Sequence, residues 1–446
     1  MNKDIKNDAL DRQKLASICT LGCKVNKYES EAIEELLVNN NYKIVDFAEF
    51  ADVYIINTCT VTAMSEKKSR QMIRRTKKLN PDAVVVVMGC YSQKSPEEIF
   101  DIEEVNLVMG TSQRAMLIPE LEKTTALDKK ILVDDIMQIR DFEEMQINNI
   151  SDRTRALIKI QDGCDRFCSY CIIPYTRGPV RSRKMENIID EVKRLAENGY
   201  KEVVLTGIHV ASYGKDLKDE KLGLADVIEH IAQVEGIKRI RISSVEPLAI
   251  TEDFIKRVSA LDAFCDHFHL SMQSGSDTVL KRMNRRYDSK EYEQAVRLIR
   301  EYYPDPAITT DVIVGFPDET EEEFLETKNF LEKIKLYETH IFKYSPRQGT
   351  KAVLLGDKVS KEDKNLRSSQ LIDLSNQNKL DYHNDTMGKN LEVLFETSDD
   401  HYYYGHTKNY IKVAVPKTKS SIINEILLVE AIQVKDDMVI GRLCTI

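Results

Sequence analysis

Short apolar runs followed by helical patterns make up the first quarter of the chain. The runs are LASICTLGC, DVYIINTC, AVVVVMGC and VNLVMGT, and the segment ESEAIEELLVNNN after the first has helical spacing. This alternation predicts an α/β fold with a parallel sheet and crossover helices. We therefore predict an N-terminal parallel-sheet α/β domain over residues 14–125, followed by a charged, irregular connector over 126–150.

The same alternation resumes after the connector with a longer period. Six candidate strands are separated by helical stretches: RALIKIQDG, EVVLTGIHV, IKRIRISSV, HFHLSMQS, AITTDVIVGFP and ETHIFKYSP. Six β/α units predict an open, partial (β/α)6 barrel over residues 151–380 rather than a closed eight-stranded one. The short strand patterns that follow predict a small β-barrel over residues 381–446.

Composition narrows the setting in which such a protein works. The net charge of −9 provides no global attraction for nucleic acid, so an RNA site has to be a local basic patch. No apolar run approaches the length of a membrane span, and the polar start MNKDIKNDALDRQK lacks the apolar core of a signal peptide. We expect a cytoplasmic protein without a membrane partner. In that reducing compartment nine cysteines favour metal binding or redox chemistry over disulfides.

Three cysteines form a compact motif directly after the first strand of the predicted barrel. Cys164, Cys168 and Cys171 have x3 and x2 spacing. Three thiolates so placed can hold three irons of a [4Fe–4S] cluster and leave the fourth iron open to an exogenous ligand. In radical S-adenosylmethionine (SAM) enzymes SAM fills that position. The alternatives are a zinc knuckle or scattered core cysteines, but zinc normally takes a fourth Cys or His at fixed spacing, and none is near.

Three more cysteines share one setting in the N-terminal domain. Cys23, Cys59 and Cys90 each end an apolar run. Because the carboxyl ends of parallel strands meet at one edge, these cysteines are expected to converge on a second cluster site. Gly22 and Gly89 precede two of them, as expected where the backbone approaches a bulky cofactor. The alternative is three buried cysteines of an apolar sheet. Cysteines without this placement are assigned to the core or to incidental positions: Cys19, Cys265 and Cys444.

These segments resemble one family over nearly the whole chain. GCKVNKYES, NTCTVT and GCY around the first three cysteines resemble the N-terminal domain of methylthiotransferases, which are radical SAM enzymes. The segment CDRFCSYCIIPYTRGPVRSR resembles their radical SAM loop, and so do TGIHVASYG, SSVEP, HLSMQSGSD and VIVGFPDET. The C-terminal barrel looks like a TRAM domain, an RNA-binding module of the OB-like kind.

The family has three branches, which differ in substrate. One modifies isopentenyl-adenosine in tRNA and typically reads GCQMN-x-x-D-S at the first motif, and another modifies an aspartate of a ribosomal protein. The third modifies N6-threonylcarbamoyladenosine next to the tRNA anticodon. GCKVNKYES, TGIHVASYG and SSVEP are most similar to the third branch.

The resemblance implies a reaction and its cofactors. C2–H of an adenine becomes C2–SCH3, with the reactivity supplied by the cofactors and the placement by the protein. Two [4Fe–4S] clusters are implied: Cys164, Cys168 and Cys171 hold the SAM-cleaving cluster, and Cys23, Cys59 and Cys90 hold an auxiliary cluster that carries the sulfur. A flavodoxin- or ferredoxin-type protein is expected to supply electrons, and the sulfur donor is open. SAM or substrate contacts are expected from Tyr170, Thr206, Gly207, Ser243, Glu246, Ser271 and Gln273. Ordinary loop capping is the alternative for the polar side chains among them.

Contacts to the anticodon stem-loop are expected from three basic groups: Arg70, Arg74 and Arg75 in one helix; Arg285 and Arg286; and Arg177, Arg181 and Arg183. A solvated helix face is the alternative for the first group. Residues 381–446 contain seven Lys/Arg against ten Asp/Glu, a poor electrostatic match to RNA. The Tyr402–Tyr404 run either stacks on bases or fills the barrel core.

Three other functions compete with tRNA methylthiolation. The same chemistry on a ribosomal protein suits the acidic barrel. A non-catalytic two-cluster electron carrier would not cleave SAM when reduced. A radical SAM methylase without sulfur transfer would not need the second cysteine group.

Overall fold

The computed structural model describes residues 13–145, 147, 154–217 and 221–444. The chain forms two compact units. The first comprises residues 1–149 with 162–165 and 171–181, and the second comprises 150–161, 166–170 and 182–446. Within the described ranges no helix is long and apolar enough to cross a bilayer.

The first unit is built on a six-stranded parallel sheet with strand order β2-β1-β3-β4-β5-β6. Its strands are β1 (Lys14–Thr20), β2 (Tyr42–Ile44), β3 (Val53–Thr58), β4 (Val84–Gly89), β5 (Leu107–Met109) and β6 (Lys130–Leu132). Its helices are α1 (Lys24–Asn39), α2 (Ala63–Leu79), α3 (Cys90–Lys94), α4 (Pro96–Phe100), α5 (Leu117–Leu121) and α6 (Ile173–Arg177). The central strands VYIINT and VVVVMG are apolar and almost wholly buried, as expected for parallel strands covered on both faces.

One part of the predicted irregular connector is a strand. Residues 130–132, assigned by their charged surroundings to an irregular segment, form the edge strand β6 and pair in parallel with β5. The break predicted between residues 150 and 151 lies outside the described residues, as does the end of the predicted barrel domain at 446. The other domain boundaries, at 125–126 and 380–381, stay predictions.

The second unit contains a half-open barrel. Six strands form an arc of two three-stranded parallel sheets, β11-β10-β7 and β12-β13-β14, which parallel bridges join at Ile240–Phe264 and Val245–Leu270. The strands are β7 (Arg155–Lys159), β10 (Glu202–Thr206), β11 (Arg239–Ile242), β12 (His267–His269), β13 (Ala307–Val314) and β14 (Glu338–Lys343), with short strands β8 (Gln161–Asp162) and β9 (Arg181–Ser182) after the first. This confirms the predicted partial (β/α)6 barrel.

Helices alternate with these strands and cover the outside of the arc. They are α7 (Met185–Glu197), α8 (Leu224–Ala232), α9 (Glu252–Ser259), α10 (Asp277–Arg282), α11 (Ser289–Tyr302), α12 (Glu321–Ile334) and α13 (Lys361–Asn384). Local chemistry fixes where they begin. At α12 the Thr320 side chain accepts from the Glu323 N–H at 3.2 Å, and the Glu323 carboxylate accepts from the Thr320 N–H at 3.0 Å, which is a capping box.

The chain ends in a closed five-stranded barrel that belongs to the same unit. Its strands are β15 (Asn390–Ser398), β16 (Tyr402–Thr407), β17 (Lys412–Pro416), β18 (Ile426–Lys435) and β19 (Met438–Leu443), in the order β15-β16-β17-β19-β18. A parallel pair joins the third and fifth strands, and the remaining pairs are antiparallel. Such a small five-stranded barrel is of the OB-like kind, as predicted.

Candidate active site

Three cysteines of the first unit follow adjacent strands at one edge of the sheet. Cys23 comes after β1, Cys59 after β3, and Cys90 begins α3 directly after β4. The strand order reverses between β1 and β3, because β2 lies on one side of β1 and β3 on the other. In open α/β sheets such a switch point at the carboxyl ends of strands is where ligands bind. The first two cysteines flank this point, and the third lies one strand further along.

The loops that carry Cys23 and Cys59 pack tightly. A Cβ atom on Gly22 would lie 2.9 Å from the Cβ of Cys59, and Gly22 has φ +113°, so only glycine fits there. The glycine is therefore required for loop packing, which differs from the expected approach of backbone to a cofactor. The pKa of the Cys59 thiol is raised to about 11, chiefly by burial, with smaller contributions from the Cys90 and Cys23 thiols and opposition from the Val61 backbone. The three cysteines thus lie at the same edge of the sheet.

A buried arginine belongs to the same cysteine group. Arg177, six residues beyond Cys171, has its Nε 3.2 Å from the Cys90 Sγ. Its guanidinium also donates to Asn26 Oδ1 at 2.6 Å and to both carboxylate oxygens of Glu29, one of them at 3.0 Å. Asn26 in turn donates from its amide to the carbonyl oxygens of Leu21 and Thr58, at 2.8 and 2.9 Å. One side-chain network therefore ties together the loops that follow β1, β3 and β4.

Glu29 is shared between two buried arginines. Its Oε1 lies 2.8 Å from Arg114 Nη2, and the side chains of Glu29 and Arg177 have no exposed surface. Burial by itself would lower the pKa of Arg177, but Cys90, Glu29 and Asp162 outweigh it and raise the pKa. A permanent cation therefore faces the Cys90 sulfur.

The second cysteine group lies in the loop between β8 and α6. Cys164 and Cys171 belong to the first unit, where the Cys164 N–H donates to the Gly178 carbonyl at 3.0 Å. Cys168 belongs to the second unit. The neighbouring Ser169 fixes this part of the loop, since its N–H donates to the Met283 carbonyl and its carbonyl accepts from the Ala352 N–H, at 3.0 and 2.7 Å.

A second buried arginine approaches Cys168. Arg285 Nη1 is 3.2 Å from the Cys168 Sγ, and Arg285 Nη2 is 3.4 Å from Glu246. Glu246 also pairs with Arg166 at 2.7 Å and with His209 Nε2 at 3.2 Å. Burial alone would raise the pKa of Glu246, but His209 and the two arginines outweigh it and lower the pKa to about 2.

The polar residues predicted to contact SAM lie at or near the carboxyl ends of β10 to β12. Thr206 ends β10 and is buried, and a Cβ on Gly207 would lie 2.9 Å from the Gln161 carbonyl oxygen. Ser243 and Glu246 follow β11, and Ser271 follows β12. Gln273 adopts φ +70°, and its backbone bonds to both Asp311 and Ile313 of β13, at 2.8 and 2.9 Å. This left-handed conformation is uncommon for a residue other than glycine. Tyr170 packs edge-on against Phe316, with ring centroids 6.4 Å apart.

The predicted basic groups divide by burial. Arg74, Arg75 and Arg286 are exposed, whereas Arg70 is half-buried and donates to Tyr91 Oη. Arg177, Arg181 and Arg183 are buried at 3% exposure or less. They pair with Glu29, with Asp162 at 3.4 Å and with Glu191 at 2.7 Å respectively. The prediction that these three form an RNA-contacting surface is wrong, because their side chains are buried and their charges are paired with carboxylates inside the fold. Arg285 is likewise committed to Cys168 and Glu246.

Comparison with known proteins agrees with this geometry. Residues 158–331 match the model of the Radical SAM superfamily, and residues 16–110 match that of Uncharacterized protein family UPF0004. The chain is 45% identical over 410 residues to the threonylcarbamoyladenosine tRNA methylthiotransferase MtaB of Bacillus subtilis, covering 90% of each chain. It is 38% identical to the tRNA-2-methylthio-N(6)-dimethylallyladenosine synthase of Thermoanaerobacter pseudethanolicus, covering 88% of this chain and 84% of that one.

The chain belongs to the radical SAM methylthiotransferase family. A solved structure supports the fold: the radical SAM methyltransferase TsrM from Kitasatospora setae, with cobalamin and a [4Fe–4S] cluster bound, superposes with a TM-score of 0.54. At 17% identity it covers 75% of this chain and 77% of its own. Membership of the superfamily implies one [4Fe–4S] cluster and SAM as cofactors.

The residues of this methylthiotransferase fit such cofactors. Sulfur is the donor that iron–sulfur clusters take from proteins, and Cys164, Cys168 and Cys171 supply it in one short loop. The sheet edge offers a second set of three thiols with a cation, Arg177, beside one of them. Both places therefore have the chemistry that a cluster requires.

Sequence reasoning missed the residues that organise both places. Asn26 and Glu29 lie one helical turn apart on α1 and are buried. Polar residues on the buried face of a helix are a signal of an internal network, and this signal was present in the motif GCKVNKYES. Arg166, and the pairing of His209 with the predicted Glu246, carry no comparable signal, because these contacts join segments that follow different strands.

Proposed function

We propose that this chain is a tRNA methylthiotransferase that places a methylthio group on C2 of N6-threonylcarbamoyladenosine next to the anticodon. The observation that carries this proposal is the Arg177 network. It links the segment after the radical SAM cysteines to Cys90 and Asn26 of the N-terminal sheet edge, within one compact unit. An enzyme that joins radical chemistry to sulfur delivery needs both cysteine groups held together. The 45% identity to the Bacillus subtilis enzyme supports the choice of nucleoside.

The residue roles in this proposal follow the two cysteine groups. Cys164, Cys168 and Cys171 hold the SAM-cleaving cluster, and Cys23, Cys59 and Cys90 hold an auxiliary [4Fe–4S] cluster. Acid–base catalysis cannot introduce sulfur at C2 of adenine. When bound, these cofactors would supply both the radical chemistry and the sulfur that the reaction requires. The SAM contacts are assigned to Tyr170, Thr206, Gly207, Ser243, Ser271 and Gln273, with Glu246 orienting Arg285 and His209 around them.

We assign the contact with the anticodon stem-loop to exposed basic residues. Arg74 and Arg75 on α2 and Arg286 after α10 are exposed and suited to phosphate contact. Replacing Arg74 and Arg75 with Glu is expected to weaken stem-loop binding by about tenfold and to reduce its salt dependence. Lys193→Glu on the exposed surface of α7 is the matched control. Fluorescence anisotropy at several salt concentrations measures both effects.

The remaining partners are proposed from chemistry alone. A flavodoxin- or ferredoxin-type protein supplies electrons, and the enzyme works in the cytoplasm. The sulfur donor stays open.

The substrate is tested by mass spectrometry of tRNA nucleosides from cells with and without the gene. We expect 2-methylthio-N6-threonylcarbamoyladenosine to disappear and its unthiolated precursor to accumulate. Complementation with the intact gene should restore the methylthio nucleoside, and a Cys168→Ala gene should not.

Other outcomes point to the competing substrates. Loss of the methylthio isopentenyl nucleoside instead would favour the function of the Thermoanaerobacter relative. If no tRNA nucleoside changes, a ribosomal protein lacking a methylthio mass becomes the target to seek. If the reduced, purified protein does not cleave SAM, the electron-carrier hypothesis replaces the proposed function.

A further inference from the structure

Three polar side chains that the function above does not use meet on neighbouring strands of the second unit. His269 on β12, Asp311 on β13 and His340 on β14 lie in register, with His269 opposite Thr309 and Asp311 opposite His340. His269 Nε2 is 3.3 Å from Asp311 Oδ2, and its Nδ1 is 2.9 Å from Thr309 Oγ1. The two imidazole rings stack with centroids 5.9 Å apart. We call His269, Asp311 and His340 the polar triad.

The polar triad lies on the inner face of the half-open barrel. On β14, Lys343 reaches Asn365 of the outer helix α13 at 2.6 Å, and residues an odd number of positions apart on a strand face opposite sides. His340, three residues before Lys343, therefore faces away from α13. On β13, Ile313 lies two residues beyond Asp311 on the same face and packs into the apolar cluster that includes Tyr170.

The opposite end of this inner face is closed by the C-terminal barrel. Tyr410 stacks on His267 with ring centroids 4.8 Å apart, and His267 lies two residues before His269 on β12. The Arg241 guanidinium covers Tyr410 at 4.7 Å from the ring centroid. The polar triad thus lies between Tyr410 at one end of the barrel and, at the other, the loop that carries Tyr170 and the three cysteines.

The polar triad is open to a ligand. The Asp311 side chain is 32% exposed, His269 is 15% exposed, and His340 is exposed. A carboxylate between two imidazoles offers both hydrogen-bond acceptors and donors at one place. His269 is already held by Thr309 and Asp311, so Asp311 and His340 are the members with capacity left for a ligand.

We infer that the polar triad is the subsite for the threonylcarbamoyl group on N6 of the substrate adenine. This inference rests on the proposed function. The group carries a carboxylate, a hydroxyl and urea N–H groups, so His340 donates to the carboxylate and Asp311 accepts from the hydroxyl or an N–H. An isopentenyl group could not bond to His340 or use the remaining acceptor capacity of Asp311, and a site built for hydrogen bonds rejects a substituent that cannot make them. The polar triad therefore determines which modified adenine is accepted.

The test uses two synthetic anticodon stem-loops, one with the threonylcarbamoyl acid and one with its neutral methyl ester. With the reconstituted wild-type enzyme, we expect esterification to lower kcat/KM by about 10- to 100-fold. His340→Ala should lower kcat/KM for the acid by a similar factor and show almost no further loss with the ester, because the two changes remove one interaction. Asp311→Asn should impair both substrates. Lys343→Ala, the neighbour that faces α13, is the matched control and should behave as wild type.

Three results would overturn this inference or separate it from the proposed function. If His340→Ala and Asp311→Asn match Lys343→Ala in rate and keep the ester penalty, the polar triad is not the subsite. If the purified wild-type protein contains stoichiometric zinc and the Asp311→Asn variant does not, the polar triad is a metal site instead. If wild-type enzyme modifies neither stem-loop, the proposed function fails. The subsite is then tested by anisotropy alone, where equal affinity of wild type and His340→Ala for the acid overturns it.

Discussion

Each unit of this methylthiotransferase holds a cysteine sulfur 3.2 Å from a buried arginine, yet the two arginines are anchored differently. Arg177 beside Cys90 has no exposed surface, and Glu29, which binds it, also binds Arg114. Arg285 beside Cys168 is 7% exposed, and its carboxylate partner Glu246 also engages Arg166 and His209.

These contacts indicate that the network around Arg177 is rigid, whereas the network around Arg285 can adjust. The Glu29 network joins three loops of a sheet edge and involves two arginines that are charged at any working pH. The Glu246 network lies at the carboxyl ends of the barrel strands, and its Arg166 and His209 side chains are 14% and 9% exposed. We infer that the first network sets the shape of its site and that the second responds to what binds there.

Removing one cysteine from each group is expected to have the largest effects. Cys168→Ala should abolish both SAM cleavage and methylthiolation. Cys90→Ala should abolish methylthiolation but leave reductive SAM cleavage, since only the auxiliary site is lost. Each variant should retain about half of the wild-type iron after reconstitution. Iron analysis and chromatography of 5′-deoxyadenosine measure these effects.

Cys265→Ala is the matched control, because Cys265 is buried away from both groups and should leave iron and both activities unchanged. Loss of SAM cleavage in Cys90→Ala as well would show that the two sites do not act separately.

Replacing each arginine should show that the two networks contribute differently to the free energy of unfolding. Arg177→Met removes a wholly buried cation that bonds to Glu29, Asn26 and Cys90, so we expect unfolding of the metal-free protein to become easier by about 3 kcal/mol. Arg285→Met should cost about half as much, because its ion pair with Glu246 is longer, at 3.4 Å. Urea unfolding followed by circular dichroism measures both.

The exposed Arg297 pairs with Glu301 at 3.4 Å, and its replacement by Met should change stability by less than about 0.5 kcal/mol. An effect of Arg177→Met as small as this control would contradict the role given to the Glu29 network.

The fold and the convergence of the cysteines could be predicted because both depend on short-range patterns. Apolar runs mark strands, and the carboxyl ends of parallel strands share an edge whatever the details of packing, so Cys23, Cys59 and Cys90 lie at the same edge. Strand β6 escaped prediction because it has three residues and lies among charged ones, where no period can be recognised.

The supports around the cysteines could not be predicted, because they depend on contacts between distant segments. Arg177 and Asn26 are 151 residues apart, and an arginine in a cysteine-rich loop gives no sign of whether it faces RNA or a buried Glu29. The polar triad likewise requires the register of β12, β13 and β14, since His269 and His340 become neighbours only when the strands are aligned.

The pH dependence of stability offers a finer test of the Glu246 network. The folded pKa of Glu246, about 2, lies below its unfolded value of about 4.3, so the unfolded chain takes up the proton first as pH falls. Its contribution is therefore fully present above about pH 5 and is lost as pH falls toward 2. Glu246→Gln should cost about 2 kcal/mol at pH 7, and the gap to wild type should narrow as the pH falls from about 5 toward 2. Urea midpoints across this range measure the gap, with the exposed Glu301→Gln as control. A gap that does not change with pH would mean that Glu246 stabilises the site through packing rather than through its charge.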